Sequence, residues 1–272
     1  MRRLRSCAVG ELVYWNPRRP PRWMRRAPRR VSSLFARPVR NFGDLLGPMV
    51  VPLLLQRSGV PPSAVPNGRL LTIGSILHLA HAGDVVWGSG RNGHIADRRH
   101  CTDALDVRAV RGPLTRDLLR DWGVDCPAVF GDPALLLPMV RPDLVERSRR
   151  KKYAVTFVPH MDDRTRRPRR GVHTVSAQAN VERVLRAIVQ SELVVATSLH
   201  GVIVAEAFGI PARSIIHHRE PEFKFADYYL GTGRPNYVRA SSIPEALVLG
   251  GERAPVINLQ PLIEAFPIDL FT

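Results

Sequence analysis

The sequence predicts an α/β fold in which two doubly wound, Rossmann-like domains enclose an interdomain cleft. Short runs of β-forming residues alternate with helical patterns along most of the 272 residues, as expected for βαβ units that build parallel sheets. The charged, proline-containing segment 141–152 separates two such patterns. We therefore predict a first domain over residues 1–145, a second over 150–250 and a C-terminal tail over 251–272.

The first half alternates strands and helices separated by turns rich in glycine and proline. The helix predicted over 113–122 has Pro113 in its first turn, where a missing amide hydrogen costs least, and Gly123 after its end. Residues 16–40 contain prolines and few periodic apolar residues, so we predict a long loop. The strands of this half are predicted over 11–15, 69–73, 84–87, 107–110 and 128–130, and the helices over 44–57, 75–81 and 113–122.

The second half repeats the alternation with shorter connections. Its most informative segment is an apolar strand, a polar turn containing Thr197, Ser198, His200 and Gly201, and an apolar helix that stops at Gly209-Ile210-Pro211. The strands of this half are predicted over 153–158, 172–175, 193–196 and 213–217, and the helices over 180–191, 202–208, 243–249 and 262–265.

The polar turn places a histidine and two hydroxyls where a parallel strand meets a helix N-terminus. Free backbone amides and the helix dipole favour an anionic ligand at such a position. In an open α/β sheet, ligands also bind at the carboxyl ends of the strands. His200 is therefore the leading candidate for a functional residue, with a structural histidine as the alternative.

Composition limits the class of partner. The net charge of +16 comes almost entirely from arginine, since only Lys151, Lys152 and Lys224 are lysines. The charge concentrates in 18–40 and 147–170, which contain prolines and are predicted loops, and the aromatic share of 7% is low for a base-stacking surface. We therefore expect no nucleic-acid partner, while attraction of an acidic or phosphorylated substrate is compatible with the charge.

Cellular context follows from three further features. No apolar run has the length of about 20 residues that a membrane span needs, and the arginine-rich N-terminus lacks the apolar region of a secretory signal. Cys7, Cys101 and Cys126 show no paired metal-ligand spacing and are odd in number, which indicates reduced thiols. We expect a cytoplasmic protein.

Three further motifs carry candidate chemistry at strand ends. Asn41-Phe42-Gly43-Asp44 opens a predicted helix, and its polar side chains are either N-caps or site residues. Gly90 ends a Gly-Ser-Gly turn that either lets a ligand approach the backbone or is a plain tight turn. Arg111 lies at the mouth of the helix predicted over 113–122, where a guanidinium suits a carboxylate or phosphate, unless it is a surface arginine without a role.

The order and spacing of these motifs resemble the polysaccharide pyruvyl transferase family, and most closely its bacterial members that act on exopolysaccharide or cell-surface glycans. The resemblance extends over about residues 12–233. It is carried by Asn41-Phe-Gly-Asp, Gly74-Ser-Ile-Leu-His, Val86-Trp-Gly-Ser-Gly, Val110-Arg-Gly-Pro-Leu-Thr, Gly131-Asp-Pro-Ala, Ser198-Leu-His-Gly-Val-Ile-Val-Ala-Glu-Ala-Phe-Gly-Ile-Pro and Phe223-Lys-Phe-Ala-Asp-Tyr-Tyr.

The resemblance implies a fold similar to two-domain, GT-B-like glycosyltransferases, phosphoenolpyruvate (PEP) as donor, and a pyruvate ketal on a sugar as product. It associates a histidine and an arginine with the donor, which by motif match are His200 and Arg111. No metal and no further cofactor is required by this scheme. The acceptor is expected to be a saccharide or lipid-linked saccharide at the inner membrane face. Residues 16–40 and the short arginine-rich segment before Gly171 depart from the family pattern and are expected to bear on the acceptor, and these basic loops are available to contact anionic lipid.

The chemistry assigns a role to each donor-side residue. His200 either protonates the methylene carbon of PEP or stays cationic and stabilises the departing phosphate; the ordinary pKa of a histidine, about 6.5, allows both. Arg111 would hold the donor's carboxylate or phosphate. Ser198 and the backbone amide of Gly201 would complete the anion site, and Lys224 would contact phosphate.

On the acceptor side, Asp44 is the candidate base for a sugar hydroxyl, positioned by Asn41, with N-capping as the alternative for both. Gly90 is assigned to acceptor binding, and Asp132 is a second, weaker candidate for the cleft wall. Four further polar residues are expected to be solvated neighbours without a role: His217, His218, Asp162 and Asp163.

Two other functions compete with pyruvyl transfer. One is a GT-B glycosyltransferase with a nucleotide-sugar donor, which would need an acidic residue for the ribose hydroxyls; after Ile216 the chain offers only Glu220 and Glu222 near that position. The other is a non-catalytic module whose basic loops bind nucleic acid, with a steep dependence on salt.

Overall fold

The structure is a computed structural model that describes residues 10–24, 26–163 and 170–272. Cys7 and residues 164–169 of the second basic segment lie outside this range. The strands are β1 (Glu11–Val13), β2 (Arg18–Arg19), β3 (Arg37–Pro38), β4 (Arg69–Leu71), β5 (Val85–Ser89), β6 (Asp106–Val110), β7 (Tyr153–Val158), β8 (Val172–Thr174), β9 (Ser191–Ala196) and β10 (Ala212–Ser214).

The α-helices are α1 (Arg29–Leu34), α2 (Gly47–Arg57), α3 (Pro113–Asp121), α4 (Leu137–Val140), α5 (Pro142–Ser148), α6 (Val181–Val189), α7 (Leu199–Ala207), α8 (Glu222–Gly231), α9 (Ile243–Leu249) and α10 (Gln260–Glu264). Short 3-10 helices cover Arg22–Met24, Leu77–Leu79, Asp97–Arg99, Pro133–Leu136 and Ile268–Leu270. None of the helices within the described ranges combines the length and apolar character needed to cross a bilayer.

Two four-stranded parallel sheets form the framework and confirm the predicted α/β class. The first has the order β1-β4-β5-β6, and its strands follow the predicted ones closely. The strand predicted over 128–130 is reduced to a single parallel bridge between Phe130 and Val110, because the chain turns away at Gly131.

The second sheet has the order β8-β7-β9-β10. From β7 the chain first adds β8 on one side, and then adds β9 and β10 on the other. The neighbours β7 and β9 therefore flank a topological switch point, where a crevice opens beyond the carboxyl ends of the strands. Residues that directly follow Val158 and Ala196 are placed at that crevice.

Helix α7 connects the two halves of the molecule. Every residue from Leu199 to Glu206 is buried, because the helix packs on β9 and β10 and also against the 3-10 helix Pro133–Leu136. A Cβ on Gly201 would lie 2.9 Å from the Ala196 Cβ, so only glycine permits this close approach to the sheet. The helix begins three residues before the predicted 202, which places His200 in its first turn.

Buried apolar residues of both sheets belong to one continuous cluster, to which Phe42, Trp87, Val158 and Leu262 all contribute. Smaller clusters cover the outer face of each sheet. The C-terminal segment, predicted as a tail, is part of this core. The Trp87 indole donates to the Leu262 carbonyl at 2.9 Å, and Arg108 forms an ion pair with Asp269. The domain boundary near 145–150 stays a prediction.

Residues 16–40, which we call the arm, differ from the predicted loop. β2 and β3 pair antiparallel as a two-residue ribbon, with Arg18 opposite Pro38, and the chain between them forms the 3-10 helix Arg22–Met24 and α1. The apolar periodicity of a core helix is absent because the arm stands on the surface and leaves its large apolar side chains exposed.

Four helical regions also differ from the sequence prediction. α2 begins at Gly47 rather than at 44, and the helix predicted over 75–81 is the single 3-10 turn Leu77–Leu79. α5 lies inside the segment predicted as a boundary, and α8 contains the Phe223 motif for which no element was predicted. Charged residues cover the exposed side of α5, and α8 turns the charged residues Lys224 and Asp227 inward, so neither helix shows a regular apolar stripe.

Candidate active site

A cleft of about 200 Å³ opens at the switch point of the second sheet, and residues of both halves line it. Five of the eight predicted site residues are on its wall: Asn41, Asp44, Ser198, His200 and Lys224. The structure thus brings together three motifs that are far apart in the chain.

His200 lies on the cleft wall and is backed by a buried carboxylate. Its Nε2 is 3.4 Å from Asp132 Oδ2 and finds no well-aligned hydrogen-bond partner among the described residues. Asp132 is 1% exposed, and its Oδ1 accepts from the Ala134 amide at 2.9 Å, which fixes the carboxylate as the cap of the 3-10 helix. The fixed carboxylate thus faces the Nε2 edge of the imidazole.

The loop 41–44 delivers a second carboxylate to the same cleft. Asn41 Nδ2 donates to Asp44 Oδ2 at 2.7 Å. The N-cap of α2 is Leu46, so neither polar side chain caps that helix, and the capping alternative is wrong. A Cβ on Gly43 would lie 2.2 Å from His200 Nδ1, so glycine lets the imidazole ring pack directly against this loop.

Opposing effects set the acidity of Asp44. Burial raises the pKa of the carboxyl above its ordinary value and is the dominant effect. The positive charge of His200, the hydrogen bond from Asn41 and the charge of Lys224 each lower this pKa and offset part of the rise. A carboxylate of raised pKa is a stronger proton acceptor than an ordinary surface aspartate.

Lys224, on α8, is held at the cleft by a partner that the sequence analysis did not assign. Its ammonium forms an ion pair with Glu220, whose side chain is 5% exposed. Burial, and then the positive charge of Arg111, lower the pKa of Lys224 to about 7, while Asp44 acts in the opposite direction. The contact with Glu220 favours the charged ammonium, so both protonation states are accessible near neutral pH.

His160 completes this group from the end of β7. Its Nδ1 accepts from the Asp162 amide at 3.3 Å, and its Nε2 is 2.8 Å from Glu220 Oε1. Burial, followed by the charge of Lys224, lowers the pKa of His160 to about 4. A neutral ring that accepts at Nδ1 carries its proton on Nε2 and donates it to Glu220.

His160 is itself fixed by residues behind the wall. Its amide donates to Thr197 Oγ1 at 2.7 Å, and the Thr197 hydroxyl donates to Asp163 at 3.2 Å. The expectation that Asp163 is a solvated neighbour is therefore wrong, because its carboxylate is 7% exposed and hydrogen-bonded. The His217 ring also lies near the site, with its centroid 5.6 Å from that of His160.

The N-terminus of α7 opens onto the cleft at Ser198. This residue is the N-cap and lines the cleft, and its side chain makes no capping hydrogen bond. The first-turn amides of a helix have no partner inside the helix and attract anions. Gly201 does not belong to this set, because its amide donates to the Ser198 carbonyl at 3.1 Å and its α-carbon faces the sheet. The structure shows a packing role for Gly201, and its ligand role stays a prediction.

Arg111 lies one layer behind the cleft rather than on its wall. The guanidinium is 1% exposed; Nε donates to Asp227 at 3.0 Å, Nη1 to the Ser75 hydroxyl at 2.6 Å, and Nη2 to the Arg91 carbonyl at 3.0 Å. All three nitrogens bind protein groups and the side chain does not line the cleft, so the contact of Arg111 with the donor stays a prediction. The guanidinium orients Ser75, which lines the cleft, and anchors α8 through Asp227.

Gly90 packs against the buried guanidinium of Arg111. A Cβ at this position would lie 2.5 Å from Arg111 Cζ, and the residue does not line the cleft. The glycine makes room for the buried guanidinium, and its contact with an acceptor stays a prediction.

His160 and Glu220 are the site residues that the sequence analysis missed. His160 directly follows an apolar strand, as Ser198 does, so the strand-end argument used for Ser198 applied to it as well. Glu220 had no such signal, because it lies in a connection and its place depends on the fold of α8.

Two comparisons with known proteins bear on this site. The family model described as polysaccharide pyruvyl transferase matches residues 92–219, a span that contains Asp132, His160, Ser198 and His200. The chain is also 31% identical over 226 residues to the succinoglycan biosynthesis protein ExoV of Rhizobium meliloti (strain 1021). That alignment covers 77% of this chain and 68% of the relative.

The Asn41 side chain provides a direct test of the Asp44 environment. We expect Asn41→Ala to raise the pKa of Asp44 further, because the lost hydrogen bond stabilises the carboxylate. The measurement is a ¹³C NMR titration of the aspartate carboxyl carbons. Asn258→Ala, which removes an asparagine remote from the cleft, serves as the control and leaves the Asp44 titration in place. An unchanged or lowered pKa in Asn41→Ala would contradict the assignment.

Proposed function

This chain belongs to the polysaccharide pyruvyl transferase family, and from that premise we propose that it transfers the enolpyruvyl group of PEP to two hydroxyls of a glycan sugar. The products are a cyclic pyruvate ketal and inorganic phosphate. The observation that carries the proposal is the meeting of His200, backed by Asp132, with Asp44 from the other half, at a helix N-terminus suited to anions.

The donor is proposed to bind at the N-terminus of α7. PEP carries a carboxylate and a phosphate, and the cleft offers the first-turn amides, the Ser198 hydroxyl and the Lys224 ammonium for them. Glu220 holds Lys224 at the wall when no anion is bound. Arg111 contributes as a positioning residue, through Ser75 and through the α8 residue Asp227.

The first chemical step is proton transfer to carbon. The His200 imidazolium gives its proton to the methylene of PEP, and the neighbouring carbon becomes oxocarbenium-like and electrophilic. Asp132 stabilises the imidazolium before transfer. A sugar hydroxyl adds to the electrophilic carbon, and Asp44, oriented by Asn41, takes the hydroxyl proton.

The second step closes the ketal. The bond between this carbon and the phosphate oxygen breaks, and the second hydroxyl of the same sugar adds in its place. The sugar loses two hydroxyl protons in the reaction. In the overall balance, the new methyl group gains one proton and the released phosphate takes the other. Lys224 and the α7 N-terminus stabilise the charge that develops on the leaving phosphate.

We also propose a GT-B-like arrangement, in which each parallel sheet is the centre of a Rossmann-like domain and the cleft lies between them. Its support is the pair of parallel sheets, the switch point at β7 and β9, and a wall built from both halves. The acceptor is proposed to be a saccharide or lipid-linked saccharide that enters beside Asn41 and Asp44 on the cytoplasmic side of a membrane.

Donor identity is tested by isothermal titration calorimetry with PEP and with UDP-glucose. We expect PEP to bind and UDP-glucose to give no signal. His200→Ala should weaken PEP binding roughly tenfold or more, since it removes a charge-assisted contact. His218→Ala, which removes an exposed histidine nearby, is the matched control and should bind as the wild type does. Binding of UDP-glucose without PEP binding would contradict the proposal and favour the nucleotide-sugar glycosyltransferase.

The lowered pKa of Lys224 predicts a proton linkage. Above pH 7 the lysine is partly neutral, and a bound phosphate favours the ammonium, so PEP binding takes up protons. The affinity for PEP therefore falls as the pH rises through about 7. Calorimetry in buffers of different ionisation enthalpy measures the uptake. Lys224→Met should abolish it, whereas Lys152→Met, at an exposed position, should not; equal uptake in Lys224→Met would refute the linkage.

A further inference from the structure

The arm carries a concentrated positive charge. Residues 16–40 contain nine arginines and no aspartate or glutamate. The arginine side chains that the structure describes in the arm are exposed, and none of them forms an ion pair with a carboxylate: Arg18, Arg19, Arg26, Arg30, Arg37 and Arg40. Such an uncompensated surface attracts an anionic partner.

Large apolar side chains project from the same arm. Leu34 is 80% exposed and Trp23 is 73% exposed, and Phe35 and Val31 are exposed beside them. The Trp23 and Phe35 rings lie 6.0 Å apart and form one tip with the end of α1. A contiguous exposed apolar group of this kind marks an interaction surface, whereas a single exposed apolar residue would not.

The base of the arm adjoins the cleft. Trp15 and Asn41, which flank the arm in the chain, both line the cleft. The Arg19 guanidinium lies over the Trp15 ring, 5.3 Å from its centroid, and the Arg40 amide donates to Asn16 Oδ1 at 3.0 Å. The first contact joins the arm to a residue of the cleft wall, and the second joins the two ends of the arm to each other.

We propose that the arm is a membrane anchor, whose apolar tip inserts into the interface of an anionic bilayer while the arginines bind lipid headgroups. Stable peripheral binding takes two signals, and the arm has both an apolar tip with an interfacial tryptophan and a basic cluster. A second copy of the chain fits poorly, because two arms would bring like charges together. Aliphatic Leu34 and Val31 favour hydrocarbon over a sugar or a nucleic-acid base.

Docking in this way would present the cleft mouth to a saccharide carried at the bilayer surface. Only this delivery of a saccharide to the cleft rests on the proposed function; the binding of the arm to a membrane does not. Vesicle binding is measured without PEP and without acceptor, so failure of the anchor and failure of pyruvyl transfer are separate results.

The test is cosedimentation of the full chain with vesicles of phosphatidylcholine alone or mixed with phosphatidylglycerol. We expect binding to the anionic vesicles only. Arg26→Gln with Arg30→Gln should weaken it about 25-fold, from about fivefold per arginine. Leu34→Ser with Phe35→Ser should also weaken it, and Val248→Ser, at an apolar position 87% exposed on α9, should bind as the wild type does. All these positions are exposed, so folding is retained, which circular dichroism checks.

Insertion is read out with brominated lipids, which quench tryptophan fluorescence within the bilayer. Quenching should occur in the wild type and disappear in Trp23→Phe. Unchanged quenching in Trp23→Phe, undiminished binding of the Leu34→Ser and Phe35→Ser variant, or equal binding to neutral vesicles would overturn the proposal. It would also be overturned by a lipid-free dimer that dissociates when the tip is substituted.

Discussion

The close seating of α7 between the two halves is the constraint on which the site depends. The helix is buried along its length, and Gly201 lets it approach β9 near van der Waals contact. On its other side, Gly43 lets the His200 ring pack against the loop that carries Asp44. Asp132 lies behind the ring, with its Oδ2 3.4 Å from Nε2. Because cores are close-packed, a methyl group at either glycine would displace the helix N-terminus from its partners.

A buried charge network places the remaining groups. The ion pair between Arg111 and Asp227 joins β6 to α8, and Lys224 lies one turn before Asp227 on the same helix. Breaking such a pair leaves an uncompensated buried charge, which costs about 3–5 kcal/mol. The pair therefore fixes where Lys224 reaches the cleft. Glu220 pairs with that lysine and His160 contacts Glu220, so residues of both halves position the ammonium at the cleft.

The strand-end rule explains which parts of the site could be predicted. Ser198 and His200 lie in the turn that follows β9. The carboxyl ends of parallel strands lie at one edge of a sheet, so the position of such residues does not depend on the conformation of the other loops. Asn41 and Asp44 were located by their motif, but the start of α2 at Gly47 decided that they are not caps. The α/β class and most strands followed from periodicity alone.

Sequence periodicity cannot say which face of a turn a side chain occupies. Arg111, Gly90 and Gly201 were assigned to ligands on sequence position, yet each packs inward against a neighbour distant in the chain. Glu220 depends on the path of a connection, and the arm depends on local pairing across prolines. Contacts between residues far apart in the chain set these positions, and a local sequence pattern does not predict such contacts.

The central claim is that His200, held by Asp132, protonates PEP for transfer to a glycan. Its most direct test supplies the enzyme with PEP labelled with ¹³C at the methylene carbon and with the host polysaccharide freed of pyruvate by mild acid, and follows the ketal methyl group and released phosphate by NMR. The wild type should form both in equal amounts. Asp132→Asn should retain PEP binding but transfer roughly a hundredfold more slowly or worse, because the asparagine amide would impose the wrong histidine tautomer. Transfer by Asp132→Asn at the wild-type rate, or phosphate release without ketal, would contradict the account.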